Sequence, residues 1–352
     1  MQTLEMPNDE LQSPSAWLGS DMAAHPEQWL TGLSKEDISE LESAAIKFIE
    51  SDKNIDELNR QNFTLARLGP RLAKLRDSLI HGIGFEVIRG LPVNSYDQKM
   101  AAIIFCGIGV HLGHARSQNA QGDILGHVRN IGADPEDTHT RIYQTSARQT
   151  FHTDSADVVG LLCLKKAKIG GKSLLVSVAS IYNKMRVTRP DLLALLFEPI
   201  ATDRRGEIPE GAKAYFEIPV FNWYQGKLTG MYQRQYIDSA QRFADAKRLT
   251  PAHIEALDYF DQLANDPELN FGMQLEQGDM QFVYNHSLLH DREGFTDWPD
   301  AKDRRHLFRL WLSLEGDRAL PECFKARYGS IEIGNRGGII TKDTKLSFTL
   351  GD

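Results

Sequence analysis

The sequence predicts an α+β chain, a mainly antiparallel β-core with helices packed outside it. Strand-like runs lie both before and after a helical stretch, and they do not alternate with helices in the regular βαβ order that a parallel sheet requires. Composition agrees. Hydrophobic residues make up 41% and charged residues 25%, close to the soluble average, so the chain can bury a substantial core. A length of 352 residues fits one elaborated domain over 1–352, because β-rich domains often exceed the usual size.

Taken in order, residues 1–33 form a polar, proline-dotted arm. "SKEDISELESAAIKFIES" then offers Ser34 as N-cap, Asp37 as its capping-box partner, and Ile38, Leu41, Ala45 and Phe48 at helical spacing. A second amphipathic helix fits "RLAKLRDSLIHG", with Leu72, Leu75 and Leu79 on one face and Gly82 as the stop. Residues 34–83 are therefore a helical extension, and "GFEVIRGLP" begins the β-core, assigned to 84–335 with helical insertions. "KMAAIIFCGIGVHL" reads as a buried helix and "SQNAQGD" as a polar loop. Four short strands follow in "RIYQTS", "QTFHTD", "VVGLLCL" and "KSLLVSV", the last two separated by the turn "KIGG". A helix pair covers 180–197, and "AYFEIPVFNWYQGKLTGMYQRQYI" reads as a hairpin turning near Gln225-Gly226. Thr250 and Pro251 open a further helix as N-cap and first position.

Net charge is −8 with no long basic run, which argues against nucleic acid and anionic membrane as partners. No signal peptide and no long apolar span is evident, so a soluble, cytoplasmic protein is expected. Cys106, Cys163 and Cys323 are odd in number and far apart, which excludes a disulfide framework and a CxxC zinc pattern and leaves free thiols.

"RQTFHTDSADVVG" carries the chemistry. In a strand, alternate side chains share a face, so His152 and Asp154 point the same way about 7 Å apart while Thr153 points opposite. They are either two ligands of one metal ion or two polar residues at a strand edge. An imidazole and a carboxylate are two thirds of the facial triad of non-haem Fe(II) oxygenases. By contrast, His253 and Glu255 have equivalent spacing but lie in a predicted helix, where positions i and i+2 do not share a face. A third ligand must come from elsewhere: His290 in "YNHSLLHDREGF", in a turn just past the strand "MQFVY", with His286 as local rival. His111 and His114 at a helix end read as capping or core histidines. In "RRHLFRLWL", Arg305, Leu307 and Arg309 share one strand face. A buried arginine is costly unless paired, and its fork matches a carboxylate; a solvated edge strand is the alternative.

These residues resemble the taurine dioxygenase (TauD/TfdA-like) family of Fe(II)- and 2-oxoglutarate-dependent oxygenases. The resemblance runs over residues 84–335 and rests on an ordered set: "FHTD", "GGKS", "LLHDREGF", then "RRHLFRLWL". It implies a double-stranded β-helix, or jelly roll, and iron held by His152, Asp154 and His290. Ser173 stands where the family bonds 2-oxoglutarate, Arg305 where it pairs the distal carboxylate, and Arg309 where a second arginine reaches co-substrate or substrate. "LLHDR" departs from the commoner "LHGR" by Asp291, which should alter the turn after the ligand.

The implied activity is oxidation, most simply hydroxylation, of a small organic molecule with O2, giving succinate and CO2 from 2-oxoglutarate. Asp154 argues against halogenation, because halogenating relatives lack the carboxylate. Alternatives are an inactive ligand-binding relative, a desaturating or cyclising enzyme of secondary metabolism, and a protein hydroxylase; the last usually holds 2-oxoglutarate through a lysine. A homo-oligomer is compatible with the sequence. Asn119 in "SQNAQGD" and Trp223 in "FNWYQGK" are the candidate substrate contacts, as polar and aromatic groups at a pocket rim.

Overall fold

A computed structural model describes residues 6–7, 9–134 and 140–350. Residues 1–5 and 8 of the N-terminal arm, residues 135–139 within the core, and residues 351–352 lie outside the described set. Two antiparallel sheets pack face to face as a jelly roll. The major sheet runs in the order Leu30–Gly32, Phe85–Arg89, Met280–Tyr284, Val158–Lys165, His306–Ser313, His114–Ala115, with Leu125–Val128 also paired to His306–Ser313. Its pairings are antiparallel except that of Leu30–Gly32 with Phe85–Arg89. The minor sheet runs Asn270–Met273, Ser173–Ser177, Leu288–Arg292, Gln149–His152.

Strand alternation decides what each face does. In His306–Ser313, Phe308, Leu310 and Leu312 pack with Leu72, Ile104 and Phe48 of the outer helices. Leu307 points the other way, into the sandwich with Val283, Leu175 and Leu288. Arg309 and Trp311 share the Leu307 parity, so this strand delivers two large polar-tipped side chains to the interior. The minor sheet is covered outside by helices Val178–Thr188, Pro190–Leu195 and Pro251–Ala264, through Val176, Leu289 and Phe151.

Local signals act as read. Ser34 and Asp37 form a reciprocal capping box on helix Lys35–Glu50, with Asp37 N–H to Ser34 Oγ at 3.1 Å and Ser34 N–H to Asp37 Oδ2 at 2.9 Å. Thr250 caps helix Pro251–Ala264, Gly82 ends helix Gly69–His81, and Phe221–Tyr224 turns at Gln225-Gly226 into Lys227–Gly230.

Four expectations are corrected. "RIYQTS" forms a 3-10 turn, Ile142–Gln144, where a strand was expected. His290 lies within the strand Leu288–Arg292 and not in a turn; the reversal falls earlier, at residues 285–287. The hairpin is confined to Phe221–Tyr224 and Lys227–Gly230, while Tyr215–Ile218 pairs with Ile200–Asp203 and Arg234–Ala240 is helical. The polar arm itself is structured. It holds helix Gly19–Ala24 and strand Leu30–Gly32, and buries Trp17 and Trp29 against Phe85 and Phe271 with ring centres 5.6–5.9 Å apart. Two tryptophans bring enough apolar surface to anchor an otherwise polar segment. No helix among the described residues is long and apolar enough to cross a membrane.

Candidate active site

His152 ends the strand Gln149–His152 and pairs across the ladder with His290. Adjacent strands therefore bring the two imidazoles side by side, tilted by 53° with ring centres 4.1 Å apart. Past His152 the chain leaves the ladder, so Asp154 is aimed by a hydrogen bond rather than by pleat alternation. Asn285 Oδ1 accepts the Asp154 N–H at 3.1 Å, while the Thr153 hydroxyl accepts the Tyr232 N–H at 3.1 Å. The Asp154 oxygens reach 3.8 Å from His152 Nε2 and 3.6 Å from His290 Nε2. One atom from each of the three side chains lies within 4.8 Å of the others.

The surroundings prepare these groups as ligands. His152 Nδ1 donates to the Thr150 carbonyl at 2.8 Å, which leaves Nε2 as the acceptor, with the Gln149 side-chain amide nitrogen 2.8 Å from it. Burial, reinforced by His290, pushes the His152 imidazolium pKa down to about 3, so the ring is neutral at physiological pH. Burial alone would raise the Asp154 pKa, but Arg309 and the two histidines outweigh it and hold the carboxyl well below the usual range. Trp311 Nε1 donates to Asp154 Oδ2 at 2.9 Å, and Arg309 Nη1 stands 3.4 Å from the same oxygen. The sequence reading did not single out Trp311; its parity with Arg309 along the strand was the available signal. The donor set, two imidazoles and one carboxylate on one side, suits a divalent iron ion with open positions.

Ser173 and Arg305 lie along the strands from this centre. Leu175 sits opposite His290, and Ser173, two residues on, opposite Arg292. The Ser173 hydroxyl donates to Gln281 Oε1 at 2.9 Å. Arg305 precedes the strand His306–Ser313, whose register shifts between His306 and Leu307, so strict alternation does not link it to Arg309. Its side chain is nonetheless buried, 5.1 Å from the Phe295 ring centre, and Nη1 has no hydrogen-bond partner. Gly171 of "GGKS" takes φ +74°, and a Cβ there would stand 3.2 Å from Arg305 Nε; glycine provides both the backbone and the room. Arg292 stacks on the same Phe295 at 4.7 Å and donates to the Thr145 carbonyl at 3.1 Å. Burial pushes the Arg305 pKa down to about 10, which still leaves a charged, underpaired guanidinium facing inward.

A pocket opens onto His152 and Asp154, walled by Tyr143, Phe216, Met231, Tyr236, Trp311 and three arginines: Arg141, Arg309 and Arg327. Arg309 Nε donates to Gln118 Oε1 at 2.7 Å, and its guanidinium stacks 4.6 Å from the Tyr143 ring centre. Asn119 and Trp223 are placed elsewhere. Asn119 organises its own loop, accepting from the Gly122 and Asp123 N–H groups and donating to Asp123 Oδ2. Trp223 packs beside the cluster under helix Val178–Thr188 and borders a separate groove with Ser13 and Lys227.

His286 belongs to a different cluster. Its Nε2 lies 2.8 Å from Asp157 Oδ1, which also accepts from Arg336 Nε at 2.7 Å; Arg336 Nη2 reaches Asp317 Oδ2 at 2.7 Å. Arg336 bridges the two aspartates. His111 bonds the Phe63 carbonyl, His114 pairs with Glu315, and His253 bonds its own N-cap, Thr250. The three cysteines are free.

A family model described as "Taurine catabolism dioxygenase TauD, TfdA family" matches residues 51–311. The chain belongs to the TauD/TfdA dioxygenase family. FR-33289 synthase of Streptomyces rubellomurinus is 32% identical over 298 residues, covering 84% of this chain and 88% of the relative. A taurine hydroxylase-like protein of Stachybotrys chartarum is 33% identical over 313 residues, covering 86% and 78% respectively. Among solved structures, an asparagine oxygenase in complex with Fe(II), 2S,3S-3-hydroxyasparagine and succinate superposes with a TM-score of 0.65 at 18% identity, over 89% of this chain and 99% of that one. This TauD/TfdA chain therefore shares its fold with an oxygenase that carries iron beside a hydroxylated amino acid.

Proposed function

We propose that the chain is one dioxygenase unit that hydroxylates a small organic molecule, using Fe(II), O2 and 2-oxoglutarate and releasing succinate and CO2. The observation that carries this reading is the convergence of His152, Asp154 and His290 within 4.8 Å. In this assignment those three side chains hold the iron. Bound iron would couple oxidative decarboxylation of 2-oxoglutarate to oxidation of a substrate C–H bond.

The remaining work falls to the chain's own groups. Arg305, buried with Nη1 free, receives the distal carboxylate of 2-oxoglutarate, and Ser173 adds a hydroxyl at the same end. Trp311 and Arg309 fix the orientation of the Asp154 carboxylate. Arg309 also lines the substrate pocket, so it acts at the junction of metal, co-substrate and substrate. The asparagine oxygenase complex supports a hydroxylation outcome with succinate as co-product.

The test is an anaerobic titration of the purified protein with Fe(II) and 2-oxoglutarate, followed by aerobic turnover. One iron per chain, a visible charge-transfer band that requires 2-oxoglutarate, and succinate release are expected. Neither band nor succinate would leave a ligand-binding relative as the reading.

A further inference from the structure

Arg305 is assigned the distal carboxylate of 2-oxoglutarate, yet pleat alternation does not aim it. It lies just before His306–Ser313, whose register shifts between His306 and Leu307, and at such an irregularity a side chain takes its direction from whatever holds the backbone. Asp297 holds it. Asp297 Oδ1 accepts the Arg305 N–H at 2.8 Å, a charge-assisted bond that closes the segment 297–305 around the turn Ala301–Asp303. Asp297 is fixed from the other side as well, because it directly follows the short strand Phe295–Thr296, which pairs with Ile169–Gly170 of the "KIGG" turn. Phe295 in turn supplies the ring beside the Arg305 guanidinium.

This arrangement leaves the guanidinium open. Arg305 Nη1, Arg292 Nε and Asp297 Oδ2 are all shut off from solvent and without hydrogen-bond partners among the described residues. Burial lowers the pKa of both arginines, to about 9 for Arg292 and about 10 for Arg305, and the Asp297 charge acts in the opposite direction on each. Engaged at a backbone N–H, Asp297 supplies counter-charge to two buried cations without filling the donors of either. A direct ion pair would close the fork that an incoming carboxylate needs.

We propose that Asp297 is a positioning residue for the co-substrate: by bonding the Arg305 backbone and not its guanidinium, it presents an open fork to the distal carboxylate of 2-oxoglutarate. Asp297 acts through Arg305 and touches neither iron ligand nor substrate pocket. The inference rests on the dioxygenase reading and deepens it at the co-substrate end.

The test titrates Fe(II)-loaded protein anaerobically by calorimetry with two probes, 2-oxoglutarate and 2-oxopentanoate, which has the same carbon chain but no distal carboxylate. Asp297→Ala should weaken 2-oxoglutarate by about tenfold, as for a misdirected charge-assisted hydrogen bond, and leave 2-oxopentanoate unchanged, because that probe does not use Arg305. Asp297→Asn keeps an acceptor for the Arg305 N–H and should stay within about threefold of wild type, on the same scale. In an Arg305→Ala background, Asp297→Ala should add nothing further, the signature of two residues acting as one. Circular dichroism and melting curves check the fold; should Asp297→Ala not fold, Asp297→Glu, which displaces the acceptor by one methylene, is expected to show the same selective loss of 2-oxoglutarate. Unchanged 2-oxoglutarate affinity, equal weakening of both probes, Asp297→Asn as weak as Asp297→Ala, or additive losses in the double variant would overturn the proposal. Wild-type protein separates the two readings: if it fails to bind 2-oxoglutarate, the dioxygenase assignment falls and the proposal with it, whereas wild-type binding that Asp297→Ala leaves untouched sinks the positioning role alone.

Discussion

At the scale of single residues, the site depends on side chains that hold other side chains. His152→Ala and Asp154→Ala should each abolish 2-oxoglutarate-dependent succinate formation while leaving the circular dichroism spectrum near wild type; turnover in either would remove the triad assignment. Trp311→Phe keeps the ring but deletes the 2.9 Å hydrogen bond to Asp154. Loss of such an orienting bond weakens metal affinity roughly 10-fold to 100-fold, which an anaerobic Fe(II) titration of the variant would read. Arg305→Ala should raise the KM for 2-oxoglutarate by about tenfold or more, because the arginine's buried fork is the assigned anchor; an unchanged KM would move the anchor elsewhere, with Arg292 on the other side of Phe295 the nearest alternative. All four effects concern residues that the ordered motifs or strand parity made visible. Arg141 and Arg327 were not visible, because they come from an irregular segment and a late short helix that only the folded chain brings to the pocket.

At the scale of elements, the ladder between Gln149–His152 and Leu288–Arg292 matters most. His290 faces His152 while Arg292 faces Gln149, so the register shifts between them. The sequence placed Asp291 in a turn after the ligand. In the strand, its carboxylate is buried and accepts from Arg148 Nε and Nη2, the latter at 2.6 Å. The departure from glycine is thus a strand-to-strand strap across the irregular register. Burial raises the Asp291 pKa despite Arg148, which shows how much the carboxylate relies on its partner. Arg148→Ala should destabilise the protein by about 2–4 kcal/mol, since it leaves a buried charge uncompensated, whereas Asp291→Asn leaves only a half-exposed arginine and should cost less. Urea denaturation of the two variants checks the order. Legibility at this scale tracked local chemistry: caps at Ser34, Thr250 and Gly82 and the Gln225-Gly226 hairpin are set by neighbouring residues. "SLLHD" and "RIYQTS" were misplaced because short apolar runs fit a strand, a turn or a single helical turn equally well until tertiary contacts choose.

At the scale of the molecule, full burial at His152 and His286 and partial burial at His127 and His306 favour the neutral imidazole. Burial pushes His152 and His306 down to about 3 and lowers His127 and His286 as well. The unfolded chain takes up protons near pH 6.5 while these folded sites do not. Stability is therefore full above about pH 6.5 and falls as pH drops towards the folded values, before unfolded carboxylates near 4 contribute. The iron-free protein should melt at progressively lower temperature from pH 6.5 to 4.5, and His306→Gln should flatten the slope; a melting temperature constant over that range would contradict the burial of neutral rings. The jelly roll itself was predictable because strand runs flanked a helical stretch and the ordered motifs lay on them. The buried arm was not, since Trp17 and Trp29 are two residues in a polar tract and their partners Phe85 and Phe271 lie far along the chain.

Arg336 also bears on the order in which the protein can be completed during synthesis. Asp157 lies three residues beyond Asp154, and its charge is met by an arginine that follows the last core strand, His306–Ser313, in the chain. A nascent chain stopped before residue 336 would carry Asp157 and Asp317 without their shared cation, an arrangement that opposes closing the interior there. A chain interrupted before residue 336 would contain every proposed ligand residue yet leave Asp157, three positions beyond Asp154, without its arginine.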